Sequence, residues 1–258
     1  MNKYYIFLLA VLLSSSCSKH VSPKSDTEKK AEPQYGHLTN TITFSGYEWR
    51  VKKTIETQGP GPNYWSGENV WVDENGWLHL RIKKNDKTGI WECGEVASTQ
   101  KFGYGTYQWK IEGDISRFDK NIVLGLFNYS GNNMYDEMDI EIARWGNDAW
   151  PNLNFTVYSA TGRTDARHKS HTKFFTMEGT KSTHRFTWKE GELTLKSMVG
   201  FHDDDTGLIE SKTFTNADVP ISTLTMPAYM NLWLFEGKAP SDNKSVEIII
   251  KEFRFIPL

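Results

Sequence analysis

The stretch Tyr135-Asp136-Glu137-Met138-Asp139-Ile140-Glu141-Ile142 sets three carboxylates at alternate positions with apolar residues between them. Successive side chains of a β-strand point to opposite faces. Glu137, Asp139 and Glu141 would therefore share one face, and Met138, Ile140 and Ile142 the other. A helix would scatter them, at about 100° per residue. Three like charges on one face repel, and folding gains nothing by grouping them. The chemistry that suits such a set is acid–base work on a glycosidic bond, which uses a pair of carboxyl groups. Two other readings stay open at this point, a solvated acidic strand and a calcium site. Acidic strands facing solvent usually interleave with Lys and Thr rather than Met and Ile. Calcium loops draw on Asp, Asn and Gly in turns.

Reach then constrains the fold. On a flat strand the Cα atoms of Glu137 and Glu141 would lie roughly 13 Å apart, at about 3.3 Å per residue. Their carboxyl groups converge only if the strand curves and both point into its concave side. Asp139, lying between them, would couple to both titrations. At least one of three crowded carboxyls should keep its proton above the usual range, which is what a general acid near neutral pH needs.

The elements that must hold this strand also read as β. Segments 76–82, 94–100, 106–111, 121–129, 153–158, 184–188, 192–199, 230–235 and 246–255 alternate or run apolar, and turns separate them. Asp73-Glu74-Asn75-Gly76 is a hairpin-type turn. No segment carries a helical period and no long repeat is visible. The expectation is an all-β fold, a curved antiparallel β-sandwich (jelly roll) with a concave substrate cleft.

The 258 residues suit one large all-β domain. A formal charge of -2 with no basic run gives no footprint for nucleic acid. Aromatics are 14% of the chain and include 10 Trp, enough both to fill a core and to stack on sugar rings. Asn2-Lys3, the apolar run Tyr4 to Leu13, and Ser14-Ser15-Ser16-Cys17 resemble a bacterial lipoprotein signal with Cys17 as the lipidated residue. Simple secretion with cleavage near Ser16 is the alternative. The expected organisation is a signal peptide at 1–16, a flexible Lys/Ser/Glu/Pro tether at 17–36 and a catalytic jelly-roll domain at 37–258. The corresponding location is the cell envelope, lipid-anchored at the outer membrane or cell surface, or the exterior by secretion. The membrane is met only through the anchor, and the domain is expected to be a monomer. Cys93 is then the single cysteine of the mature domain, read as a small buried hydrophobe.

Glu137-Met138-Asp139-Ile140-Glu141 resembles the Glu-x-Asp-x-Glu signature of glycoside hydrolase family 16, which includes lichenases, laminarinases, κ-carrageenases, agarases and xyloglucan transglycosylases. Cys93-Gly94-Glu95, Phe102-Gly103-Tyr104-Gly105-x-Tyr107 and Met230-Asn231-Leu232-Trp233 resemble flanking blocks of lichenases, and the likeness runs from about Phe44 to Phe255. The resemblance implies a curved jelly roll, endo-action on a β-linked polysaccharide and retention of anomeric configuration. It implies Glu137 as nucleophile, Asp139 as the residue that tunes it, and Glu141 as general acid/base. It also implies that Glu95, Asn231 and Trp233 contact substrate. Trp145, by its parity with Glu141, and Tyr158, on the next strand, are added as substrate-binding candidates. No cofactor and no metal site is expected.

The sequence departs from the lichenase pattern as well. Ala97 stands where lichenases have Arg, Cys93 lacks its disulfide partner, and Arg144-Trp145-Gly146-Asn147 has no counterpart. Cleft loops are expected at 58–67, 146–152 and 237–244. His168, His171 and His184 read as surface or loop residues, and Asp203-Asp204-Asp205 as a solvated loop. A glycan-binding protein without activity, or a transglycosylase on the same fold, is the alternative reading.

Overall fold

The computed structural model of the chain describes residues 1, 30–162 and 168–258. The signal-peptide and lipidation readings, Cys17 included, and most of the tether lie outside the described residues. Strand ladders build two sheets. In spatial order the inner sheet runs His168–Lys173, Leu153–Tyr158, Glu137–Ile142, Ile122–Tyr129, Met226–Leu234, Trp91–Phe102, Tyr47–Val51 and Thr41–Phe44, antiparallel throughout. The outer sheet runs Leu208–Thr215, Glu192–Val199, Lys181–Lys189, Gly105–Glu112, Val246–Pro257, Leu78–Lys84, Val70–Val72 and Gln34–Tyr35, also antiparallel. The hairpin joining Leu78–Lys84 to Trp91–Phe102 ties one sheet to the other, and the whole curves nearly into a barrel. This is the curved all-β jelly roll expected from the pattern of turns and alternating residues. Helix among the described residues is confined to short 3-10 turns.

The core lies between the sheets, where alternate residues of each strand meet. Met138, Ile140 and Ile142 of the carboxylate strand are buried there with Leu124 and Leu126 of one neighbour and Phe155 and Val157 of the other. At about 2 kcal/mol for each large apolar side chain buried, this face holds the strand in place. Aromatic rings fill the span between the sheets. Trp49 meets Phe253 edge-on at 5.1 Å, and Phe186 lies 4.5 Å from Tyr107 and 5.4 Å from Trp109. The Asp73-to-Gly76 turn forms as expected. Asp73 accepts hydrogen bonds from the Asn75 and Trp77 amides, and Gly76 takes a φ of 77° that a side chain would resist.

Several expectations are corrected. Strands Thr41–Phe44, Tyr47–Val51, His168–Lys173 and Leu208–Thr215 were not foreseen. The last two carry weak apolar alternation, lie largely exposed and owe their form to ladder pairing with a neighbour. His184 is not a surface residue. It is fully buried, with its ring nitrogens 2.9 Å from Ser197 Oγ and 3.0 Å from Ser182 Oγ. Asp203 and Asp205 do face solvent, but they clamp the outer sheet through Lys110, Arg254 and Arg185.

Burial holds the His184 imidazole neutral down to about pH 3, well below its ordinary 6.5. The unfolded chain takes up a proton below pH 6.5 and the folded chain does not, so this residue contributes stability that is lost as the solution is acidified. His184→Gln keeps a neutral hydrogen-bonding side chain. Between pH 8 and pH 5 the wild type should lose about 2 kcal/mol relative to this variant in urea unfolding. A constant gap between the two would show that His184 does not carry the dependence.

Candidate active site

Glu137, Asp139 and Glu141 project from the concave face of their strand, and all three line one hollow of about 440 Å³. The ladder sets their neighbours in rows across the sheet. Glu137 lies between Tyr158 and Tyr129, Asp139 between Thr156 and Phe127, and Glu141 between Asn154 and Gly125. Beyond Gly125 the Glu141 row continues through Asn231 to Glu95.

The electrostatics follow from crowding in a poorly hydrated place. Burial pushes Glu137 up to about 7, against a hydrogen bond with Asp139 that pulls it down. Burial, with the Glu137 charge in second place, pushes Glu141 up to about 8. Asp139 is raised by burial and then by the charges of both glutamates. On a flat strand the two glutamates would stand roughly 13 Å apart at Cα, and here both line one hollow. The Tyr158 phenol stays protonated, raised by burial and then by the three carboxyls. It can therefore donate a hydrogen bond but cannot serve as a base.

The far wall of the hollow is a relay. Lys52 Nζ lies 3.0 Å from Glu95 Oε1, and Asn231 Nδ2 donates to Glu95 Oε2 at 3.0 Å. Lys52 also donates to the Gly59 carbonyl at 2.6 Å and sits 4.1 Å from the centre of the Trp65 ring. Burial raises Glu95 despite the pull of Lys52 and Asn231. Asn231 is 2% exposed, and its Oδ1 has no partner within the protein. Held through its amide by Glu95, the side chain turns that oxygen toward Gly125, where it is buried from the open hollow. Gly125 makes room for it, since a Cβ there would stand 2.5 Å from Asn231 Oδ1.

The structure thus brings together Glu137, Asp139, Glu141, Glu95, Asn231 and Trp233 in one hollow. Trp145 and Tyr158 line a second hollow of about 450 Å³ that reaches Glu141 from the other side. Of the expected cleft loops, 58–67 supplies Gly59 and Pro60 to the first hollow, and 146–152 supplies Trp150 and Pro151 to the second. The 237–244 stretch lines neither, and its Ala239 carbonyl instead accepts from Asn121 Nδ2 at 2.7 Å. Lys52 and Gly125 were not foreseen. The signal for Gly125 was a lone glycine inside the apolar run Ile122 to Phe127, which marks close approach in a strand. Nothing local marks Lys52, whose partner is distant in sequence. Cys93 is buried and free beneath this wall, with its thiol pushed up to about 12, mainly by burial. Among the described residues no group of His, Cys, Asp and Glu is arranged to hold a metal ion.

Comparison with known proteins bears on this geometry. The family description "Glycosyl hydrolases family 16" matches residues 62–244, more than half of the chain. No curated protein matches the sequence. Among solved structures the fold is similar to a β-glucanase of Bacillus licheniformis, with 20% identity and a TM-score of 0.61 over 88% of this chain and 98% of that one. It is similar to a β-1,3-1,4-glucanase (lichenase) from a mouse hindgut metagenome, with 18% identity and a TM-score of 0.59 over 88% and 99%. It is also similar to a pseudo-β-1,3-glucanase of Mycobacterium tuberculosis described as an immunostimulatory antigen, with 16% identity and a TM-score of 0.60 over 89% and 99%.

The raised carboxyls carry a cost in stability whose sign is fixed. Between about pH 4.5 and 8 the folded trio holds protons that the unfolded chain releases, so stability falls as pH rises through that window. Glu141→Gln removes one charge at nearly constant shape. It should raise Tm at pH 8 by about 3 °C or more, with the gain vanishing near pH 4. An equal gain at both pH values would mean that the charge is not the cause.

Proposed function

The chain belongs to glycosyl hydrolase family 16, and we propose that it is a retaining, endo-acting hydrolase of a neutral β-linked glucan, with Glu137 as nucleophile and Glu141 as general acid/base. One observation carries this reading: three carboxyls on one strand face share a single hollow and hold their protons above the ordinary range. Glu141 protonates the departing glycosidic oxygen. Glu137 attacks the anomeric carbon as a carboxylate, and Asp139 steadies it by a shared hydrogen bond. Glu141 then draws a proton from water as that water cleaves the glycosyl ester. Two glutamates facing one hollow from a single strand supply the carboxyl pair that glycoside hydrolysis needs, and retention is carried over from the family resemblance.

The substrate class follows from charge and surface. The first hollow gathers Glu95, Glu137, Asp139 and Glu141 against Lys52 alone, and Lys52 is already paired. Among the described residues, no cation lining the hollow is left free to pair a sulphate or uronate, and a neutral glycan needs none. Phe127, Tyr129, Tyr229 and Trp233 line the hollow with apolar rings. The glucanases among the similar folds agree with a β-glucan. Such a cleft has no use for three coupled carboxyls if it only binds, which speaks against the glycan-binding alternative. We further propose a cell-envelope location through acylation of Cys17.

Glu137→Gln should abolish release of reducing ends from β-1,3-, mixed-linkage and β-1,4-glucans while the protein stays folded. In the wild type, proton NMR should show the first product in the β-configuration. Full residual activity in the variant, or an α-product from the wild type, would sink the mechanism. In a bacterial host the full-length chain should take up labelled palmitate, and Cys17→Ser should not. Labelling of both would remove the lipid assignment.

A further inference from the structure

Asn231 is almost wholly buried and uses only half of its side-chain amide. Its Nδ2 donates to Glu95 Oε2 at 3.0 Å, while its Oδ1 takes no hydrogen bond from the described residues. An acceptor buried without a donor is costly, so a native fold keeps one where a donor arrives by another route. The amide cannot escape by turning round. Lys52 Nζ, 3.0 Å from Glu95 Oε1, pulls that glutamate toward its ionised form, which only accepts hydrogen bonds. The N–H side of the Asn231 amide must therefore face Glu95, and the oxygen must face the other way.

The other way lies over Gly125. This glycine stands opposite Asn231 on one side and opposite Glu141 on the other. Strands lie about 4.8 Å apart, so the Cα atoms of Glu141 and Asn231 are about 10 Å apart with Gly125 midway. Both side chains line the same hollow, and the glycine puts no side chain between them. A Cβ on Gly125 would stand 2.5 Å from Asn231 Oδ1, so the oxygen fills the space that the glycine vacates. A glutamate leaning in from the far side meets it there. Burial, and then the Glu137 charge, pushes Glu141 up to about 8, so near neutral pH it carries a proton and can donate.

No other group around Glu141 supplies that acceptor. Glu137 and Asp139 on its own strand, and Glu95 beyond Asn231, are acids whose own protons are held up by burial. Lys52 is paired, and Tyr129, Tyr158 and Tyr229 stay protonated. His168 lines only the hollow on the opposite side.

We propose that Asn231 is a positioning residue for the acid: in the free enzyme protonated Glu141 donates to Asn231 Oδ1 across Gly125, and the glycosidic oxygen takes over that hydrogen bond when substrate seats. The inference rests on the acid role proposed above for Glu141. As the glycosidic bond breaks, the proton passes to the departing oxygen and Glu141 is left as a carboxylate. Lys52 and Glu95 act at one remove, by fixing which way the amide points. The resemblance gives Asn231 to the substrate, whereas here both ends of its amide serve the protein.

The test uses phenyl and dinitrophenyl β-glycosides of the oligosaccharide that the enzyme releases from β-glucan, with kcat/KM measured from pH 5 to pH 9. Phenol leaves only with a proton from the acid, and dinitrophenolate leaves without one. For the phenyl glycoside the wild type should lose kcat/KM as pH rises through about 8. A hydrogen bond to the neutral form raises a carboxyl, so Asn231→Leu should move this fall down by about one pH unit. At pH 8 the share of acid should then drop from about one half to about one tenth, and the phenyl-to-dinitrophenyl ratio should fall about fivefold. At pH 5 the ratio should equal that of the wild type. Gly125→Ala, whose methyl pushes Oδ1 away from Glu141, should shift the fall in the same direction. A sugar contact or a damaged fold would lower kcat/KM for both glycosides at every pH and leave the ratio alone. That result, or a fall unmoved in both variants, overturns this inference and leaves the hydrolase reading standing. No cleavage of any glucan, or a Glu141→Gln variant as fast as wild type on the phenyl glycoside, overturns the acid role of Glu141 and this inference with it.

Discussion

The fold depends on one constraint, that a single strand must bury apolar residues on one face and crowd three carboxyls into a hollow on the other. A carboxylate taken from water costs several kcal/mol unless it is paired or protonated. Glu137, Asp139 and Glu141 meet that cost by holding protons, as their raised titration shows. Met138, Ile140 and Ile142 offset it from below by packing into the core. Neither face could exist without the other. A strand free on its concave side would turn its charges to water, and a strand without its apolar face would have nothing to hold it in place.

Its neighbours are arranged to the same end. Gly125 gives up a side chain so that Asn231 can lie between Glu141 and Glu95. Lys52 pairs with Glu95, and Ala97 stands where the lichenase resemblance would have put an Arg. The cation beside this buried glutamate comes from the residue just past the strand Tyr47–Val51. The core carries a second buried titratable group, His184, and its effect on stability has the opposite sign to that of the trio. Acid weakens the fold through His184, and alkali weakens it through the trio.

How much of this was legible depends on the range of the interaction. Strand parity is local, so the shared face of Glu137, Asp139 and Glu141 and the buried face of Met138, Ile140 and Ile142 could be read directly. The core strands were equally visible, because burial on a β-surface writes an alternating or continuous apolar pattern. Edge strands such as His168–Lys173 write none, since half-exposed polar residues join the ladder only because a partner is present. His184 misled for a related reason: it sits buried in a strand between polar and charged residues, and the serines that satisfy it lie on its own and the adjacent strand.

The sequence by itself determined the trio, its spacing and the need for a curved sheet, because side-chain alternation and reach are properties of one strand. It also determined the resemblance through which Glu95, Asn231 and Trp233 could be named. Only the tertiary structure decided that the 237–244 loop lines neither hollow, that Lys52 supplies the cation, and that Glu141 faces two hollows while Glu137 faces one. Those facts depend on which strands lie side by side. Register between distant segments is set by the packing of the whole sandwich, and no single segment encodes it.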